Sequence, residues 1–573
     1  MTTDSKTPWR PSVLLGLMLL FFLALLPRIY SAQTLGWHWD TPGSFTLVNF
    51  DEAGSCRAAL GGFNYSPFIG RQTIALADLF GEGPQPGIQG LAAPVKAYCH
   101  SPHHITVART YSAITGALTV VATAAIALML APAQPAVAWS AGALLALSGF
   151  HISQSQSGTV DAPSVFFIYT FFAFMIYCVT RGSRWALLAS PVLLVPAVWA
   201  KYWAFAIFAY AAFLPLTLWR YLTHGMSSLR IVLVVLATAV LAGLMTNSAF
   251  QSLGWYPLLA LFYLVIPWRH LHRPMVVFWL LLPLLMFALF QVDVVTKYTT
   301  SGPQSRFGTG YAAIGWNKWL RNLVNIPAVL IVGLGIPAAL FLPVGIRQVF
   351  REQDNVRAWL CLLPVLAFLL FMAFLAPVTY YRHYLALLPA AAIVAALGLF
   401  ATTWARRRWF LVLFFVWPTL LAVDLVADYH QDPRIELRSW YREHQGSRVY
   451  TSFYVNPPSW AARSNRLFRP EFALGDAAQL RQAHYLILSE NWYDTSFANE
   501  LNGPVLNDPA RLIKTTPAYA QFYRSALAGR HPHLVLEKSM ELRNFMPELL
   551  IHRWLYGTFQ LFVGDIKVFR IVK

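Results

Sequence analysis

Long apolar runs separated by short basic clusters occupy the chain up to residue 428. They cover 13–30, 107–131, 135–151, 162–180, 185–200, 202–219, 231–250, 255–268, 275–292, 323–346, 358–377, 384–404 and 410–428. A helix needs about 20 apolar residues to cross a bilayer core, so this pattern predicts about thirteen transmembrane helices. Several runs are short or contain Pro, which a helix bundle tolerates because neighbouring groups re-satisfy the freed backbone. The first run lacks an Ala-x-Ala-like exit and is followed by further spans, so it reads as a retained helix and not as a cleaved signal peptide.

Charge follows the same count. Arg181 and Arg184, then Arg220 and Arg230, then Arg269 and Arg273, then Arg347, Arg351 and Arg357, then Arg406, Arg407 and Arg408 fall on alternate connections. Lys and Arg accumulate in short cytoplasmic loops. With Lys6 and Arg10 also inside, loop 31–106, loop 291–322 and tail 429–573 are expected on the outer face. Beyond 428 polar residues return, and β-prone stretches at 448–455, 484–489 and 567–572 alternate with helical patterns. A segment of this length can bury its own core. The expected architecture is a polytopic α-helical membrane protein, residues 1–428 including outer loop 31–106, followed by an extracytoplasmic α/β domain, 429–573. Trp440, Trp460, Trp492 and Tyr493 serve there either as core or as lining of an acceptor groove.

Composition agrees with lipid as the main solvent. Hydrophobic residues make up 57% of the chain and charged ones 12%, with a mean hydropathy of +0.49, where soluble domains carry about 25% charge. The net charge of +18 would suggest a nucleic-acid partner in a soluble protein. Here the positive-inside rule accounts for it, and no nucleic acid is expected. Of four cysteines, Cys178 and Cys361 lie in apolar runs and read as small core residues. Cys56 and Cys99 share the first outer loop, where an oxidising compartment permits a disulfide.

Acids at a membrane surface are costly unless they serve a function. Asp51-Glu52 lies in Asn49-Phe50-Asp51-Glu52-Ala53-Gly54, and Asp161 lies in Ser157-Gly158-Thr159-Val160-Asp161-Ala162-Pro163. Both fall on the same expected side. Each also reads as a solvated loop acid, and Asp161 before Ala162-Pro163 as a helix N-cap. His100, His103 and His104 raise a divalent metal, since imidazole is a common ligand. They have no partner Cys or acidic motif at ligand spacing, so a metal stays open beside surface or acceptor-groove roles.

The order of several motifs resembles the GT-C glycosyltransferases, the superfamily of protein O-mannosyltransferases and of the aminoarabinose transferases that modify lipid A. The matching residues are Asp51-Glu52 after the first helix, the stretch from Arg109 to Val120 opening the second, and the stretch from His151 to Pro163. Trp199-Ala200-Lys201-Tyr202, Tyr381-Arg382-His383-Tyr384 before Leu388-Pro389, and Asp432-Pro433-Arg434 with Trp440 and Val449-Tyr450 continue the series. The chain departs from the aminoarabinose transferases at Gly54, where they carry Arg. It departs again at 96–104, where their Glu-Lys-Pro-Pro element is replaced and His100-Ser101-Pro102 approximates a His-Pro-Pro.

The resemblance implies an inverting transfer of a sugar from a polyprenyl-phosphate donor to a protein, lipid or glycan acceptor at the outer face of the inner membrane. Such a displacement needs a carboxylate to take the acceptor's hydroxyl proton and positive charge for the departing phosphate. Asp51 is the expected base, with Glu52 and Asp161 as supporting acids. Lys201, Arg109 and Arg382 are the phosphate-side candidates, each with a plainer reading as a snorkelling, anchoring or ion-paired residue. His100, His103 and Tyr381 are groove candidates. The alternative is a transporter or flippase of a lipid-linked or anionic substrate, which the lack of repeated halves with matched broken helices disfavours. A non-enzymatic scaffold leaves the paired acids unexplained.

Overall fold

The computed structural model describes residues 11–39, 45–61, 67–181, 316–351, 381–452, 477–491, 517–556 and 563–572. It adds isolated positions at 193, 196–197, 199–201, 365, 368–369, 455, 457–458, 460 and 493. The runs expected at 202–219, 231–250, 255–268 and 275–292 lie outside the described residues, as do most of 185–200, 358–377 and loop 291–322. So do Lys6, Arg10, Arg184, Arg220, Arg230, Arg269, Arg273, Arg357, Cys361 and Trp492.

Among the described residues four helical stretches are long and apolar enough to cross a membrane: Pro11–Thr34, Pro102–Leu130, Tyr381–Phe400 and Arg408–Glu443. Within them lie helices α1 (Pro11–Thr34) and α5 (Pro102–Leu130). Between these come α2 (Gly54–Ala59), α3 (Pro67–Leu79) and α4 (Ala92–Cys99) of the first loop. The run read as one span at 135–151 is instead two helices, α6 (Pro135–Ala146) and α7 (Gly149–Ser155), bent by 59°. Counted as one broken span, the pair makes five.

The break has local causes. The Ser148 hydroxyl accepts from His151 N at 3.2 Å and starts a new helix. The buried Arg28 guanidinium donates to the carbonyls of Leu145 and Ala146 at 3.3 and 3.2 Å, satisfying the end of α6. It also donates to Ala24 O and to His151 Nδ1, which makes Nδ1 the acceptor and leaves the ring proton on Nε2. A Cβ on Gly149 would lie 2.8 Å from Ala422 Cα, so glycine is what allows α7 to cross the later helix so closely.

Helix α8 (Asp161–Arg181) packs beside α5. The run 323–346 is likewise divided, into α9 (Trp316–Leu334), α10 (Ile336–Leu340) and α11 (Leu342–Arg351). Gly335 takes φ +81° at the first break, a value that favours glycine. A 3-10 turn, Tyr381–Leu387, leads into α12 (Leu388–Phe400). Gly345 of α11 and Gly398 of α12 face backbone so closely that a Cβ would sit about 2 Å from Val394 O and Phe341 O respectively. α13 (Arg408–His430) completes the described bundle, whose core runs through Val120, Ala124, Leu144, Phe172 and Leu388.

α13 passes into α14 (Pro433–Glu443) through Asp432, whose side chain accepts from Arg434 N at 2.9 Å. Beyond it lies a four-stranded sheet of β1 (Val449–Thr451), β2 (Tyr485–Ser489), β3 (Leu534–Met540) and β4 (Ile566–Ile571), ordered β1-β2-β4-β3. β1 and β2 are parallel, and β4 is antiparallel to β2 and β3. Three strands fall where the β-prone stretches were read. β3 lacks an alternating pattern, because its residues Val535, Leu536 and Glu537 are all exposed and the register shifts between Leu536 and Lys538.

One sheet face packs Ile487 and Val568 on Leu437, Trp440, Tyr441 and Trp39. The other packs Leu486, Leu488 and Phe569 on Phe522, Tyr523 and Ala526, with α15 (Ala477–Leu480) and α16 (Pro517–Leu527) on that side. Trp440 and Tyr493 are therefore core residues. α17 (Pro547–Tyr556) returns to the bundle, where Asp424 of α13 accepts from Phe545 N and Met546 N at 2.8 and 2.7 Å. Glu548 Oε1 also accepts from Ile336 N and Trp417 Nε1, at 2.9 and 2.5 Å.

Candidate active site

A second 3-10 turn, Phe50–Ala53, sets the site's geometry. Asn49 caps it, accepting from Asp51 N at 3.0 Å, while Glu52 Oε2 reaches back to Val48 N at 3.1 Å and Asn49 N at 3.4 Å. This reciprocal capping aims two consecutive carboxylates at different partners.

Glu52 is sealed. Its carboxylate takes Arg109 Nε at 2.7 Å and Nη2 at 2.9 Å, and both side chains are 0% exposed. Gly158 N adds a bond to Oε1 at 3.1 Å, and Arg109 Nη1 donates to Leu35 O at 2.5 Å. The two-pronged pair satisfies most of both groups' hydrogen-bonding capacity, which is what a buried ion pair requires. It also joins α1, α5 and the two acidic loops at one point. A Cβ on Gly158 would lie 2.9 Å from Ala108, so glycine lets that loop reach Glu52.

Asp51 faces the other way. Its Oδ2 lies 2.5 Å from Arg382 Nη2, with the side chains 25% and 15% exposed. Arg382 Nε stands 3.9 Å from Asp161 Oδ2, and Asp161 Oδ1 is 2.5 Å from Lys201 Nζ. Asp161 is buried at the first residue of α8. Asp51, Arg382, Asp161 and Lys201, far apart in sequence, thus form one cluster of alternating charge that opens to solvent at Asp51.

The remaining candidates are placed elsewhere. His103 Nδ1 lies 3.0 Å from Glu82 Oε1 at the surface. Burial pushes the His100 pKa down to about 4, with Lys96 and Arg57 adding to the shift and Glu52 opposing it, so its ring is neutral at neutral pH. His104 is buried on the first turn of α5 with its ring centroid 5.2 Å from that of Tyr98. Cys56 and Cys99 are bonded, S–S 1.99 Å, and with Leu47, Ala53, Val95 and Ile105 form a small core beneath the Asp51 turn. Among the described residues no three His, Cys, Asp or Glu side chains come together as a metal-binding group.

Tyr381, next to Arg382, is buried between the Phe150 ring at 5.4 Å and the His552 ring at 4.7 Å, both edge-on. His552 belongs to α17, so the C-terminal segment reaches the turn that carries Arg382. Nothing in the sequence marks it: a lone His on an amphipathic helix has no motif around it.

No protein-family model matches the chain, and no curated protein matches it. Solved structures do. The oligosaccharyltransferase AglB of Archaeoglobus fulgidus, in complex with an inhibitory peptide and a dolichol-phosphate, is 12% identical, with 98% of this chain and 88% of that chain covered at a TM-score of 0.42. ArnT of Cupriavidus metallidurans, bound to undecaprenyl phosphate, is 14% identical, with 83% and 93% covered at a TM-score of 0.41. Both are GT-C superfamily members, the superfamily whose motif order the sequence resembles. At this level of overlay the likeness assigns no residue a role.

Proposed function

We propose that the protein is an inverting glycosyltransferase that moves a sugar from a polyprenyl-phosphate donor to an acceptor hydroxyl at the outer face of the inner membrane, with its N-terminus cytoplasmic and segment 429–573 periplasmic. The observation that carries this reading is the partly exposed Asp51–Arg382 pair backed by buried Asp161 and largely buried Lys201. A carboxylate and a guanidinium in contact at a solvent-facing edge are the two groups this displacement needs.

In this reading the donor phosphate binds Arg382 and Lys201. Its charge competes with Asp51 for Arg382 and releases the carboxylate toward the acceptor. The acceptor oxygen attacks the anomeric carbon and its proton passes to Asp51. The carbon–oxygen bond to phosphate breaks, the electron pair leaves on polyprenyl phosphate, and the anomeric configuration inverts. Asp161 keeps both cations in place between turnovers. Glu52 and Arg109 act as positioning residues, since each is consumed in the sealed pair. The test supplies purified protein with a panel of polyprenyl-phosphate monosaccharides and follows loss of each donor. One donor is consumed by the parent protein and spared by Asp51→Asn; consumption of none, with no binding of undecaprenyl phosphate, would overturn the proposal.

A further inference from the structure

Helix α17 has two faces of opposite character. Glu548, Leu549 and His552 are at most 3% exposed and turn toward the bundle. Leu550, Ile551 and Trp554, on the opposite side at i, i+1 and i+4, are 49–76% exposed, and Phe545 just before the helix is 57% exposed. Four large apolar side chains exposed along this segment form a patch that water does not favour.

Its surroundings identify what covers it. α13 carries a stripe of exposed apolar residues at 409, 412, 413, 416, 420 and 423, spaced as one helix face. A helix this apolar with such a stripe turns it to lipid. The stripe ends at Val423, and the next residue, Asp424, accepts from the backbone of Phe545 and Met546. Through this buried acid the segment that carries the α17 patch starts at the level where the α13 stripe ends. The face carries no charge, and its most exposed member is Trp, the residue that favours the boundary between headgroups and acyl chains. Arg553 points aside to Glu490 and Asp565 at 2.6 and 3.1 Å, so the helix's charge is satisfied within the protein.

We propose that α17 is an interfacial helix, lying in the outer leaflet with Phe545, Leu550, Ile551 and Trp554 against lipid acyl chains while its opposite face rests on the bundle. This places a lipid-contacting element directly behind Tyr381, because His552 is on the same helix.

The test uses the full chain with Cys178→Ala and Cys361→Ala, reconstituted in phosphatidylcholine vesicles. Single reporters Leu550→Cys, Ile551→Cys and Trp554→Cys carry an environment-sensitive fluorophore. Leu413→Cys serves as the lipid-facing reference and Arg530→Cys, on an exposed turn, as the aqueous one. Lipids bearing a nitroxide just below the glycerol are expected to lower emission at 550, 551 and 554 by about twofold or more, as at 413, with 530 unchanged. Emission that follows 530, or that is shielded from both nitroxide lipid and aqueous iodide as a second copy or another protein would shield it, overturns the proposal. Three reporter positions keep the outcome decisive where one substitution perturbs folding.

Discussion

The two ion networks beside the Phe50–Ala53 turn start from adjacent residues and end in different environments. Glu52 and Arg109 are both fully buried, joined by two bonds, and further tied to the backbone of Gly158, Val48 and Leu35. Asp51 and Arg382 are joined edge to edge, partly wet, and share their charge with Asp161 and Lys201. A sealed pair with most of its hydrogen-bonding capacity used holds geometry and is shielded from a substrate. A partly exposed pair can exchange one partner for another, which is what binding a phosphate and receiving a proton demand. The Asp-Glu dipeptide thus divides into a partly exposed carboxylate and a sealed one, which the proposed function casts as base and positioning residue, and the direction each faces, not its chemistry, makes the division.

That contrast breaks first at Glu52. Glu52→Gln leaves the Arg109 guanidinium buried without a counter-charge, and loss of one partner of such a pair costs about 3–5 kcal/mol. The expected outcome is a large fall in thermal midpoint and in folded yield, with Glu52→Gln combined with Arg109→Met recovering part of it. Arg382→Ala and Asp51→Asn are expected to behave in the opposite way. Their thermal midpoints stay near the parent's while donor turnover falls on the order of 10²–10³-fold, the size of losing a preorganised electrostatic group or a general base.

Opening the Cys56–Cys99 bond comes next. It closes a loop spanning 43 positions, and its removal with Cys56→Ser and Cys99→Ser is expected to cost about 2–4 kcal/mol. Since the bond lies in the core beneath the turn, both networks loosen together, read as lower stability and faster amide exchange over 48–58. The smallest effect is expected at His552. His552→Ala withdraws a ring from Tyr381 and lowers turnover by about threefold to tenfold through a less ordered Arg382, while His552→Phe, which keeps an edge-on ring, restores most of it. Equal loss in both variants would point to a role for the imidazole nitrogens instead.

Much of this was legible in the chain. Apolar runs located the helices around 13–30, 107–131, 162–180, 384–404 and 410–428, because lipid demands length and hydropathy that no other solvent does. The same signal read 135–151 as one span. Hydropathy is blind to the Ser148 cap, the Gly149 approach and the Arg28 guanidinium that bend it. Asp51, Glu52 and Asp161 stand out as acids where charge is costly, and Arg109, Lys201 and Arg382 come forward only through the motifs that resemble the GT-C glycosyltransferases. Their pairing did not, since sequence spacing carries no information on which carboxylate of Asp51-Glu52 turns inward. Arg109, expected among the phosphate-side cations, is the buried partner of Glu52, a pairing its sequence position does not reveal. His552 gave no signal because its importance lies in one ring contact across the fold.

The measurement that tests the central claim most directly compares Asp51→Asn with Glu52→Gln in one detergent preparation, recording thermal midpoint and polyprenyl-phosphate-sugar consumption per folded molecule. The account predicts that Asp51→Asn is stable with turnover lowered on the order of 10²–10³-fold, while Glu52→Gln is destabilised and retains turnover in the fraction that folds. A stable, inactive Glu52→Gln beside an active Asp51→Asn would contradict it.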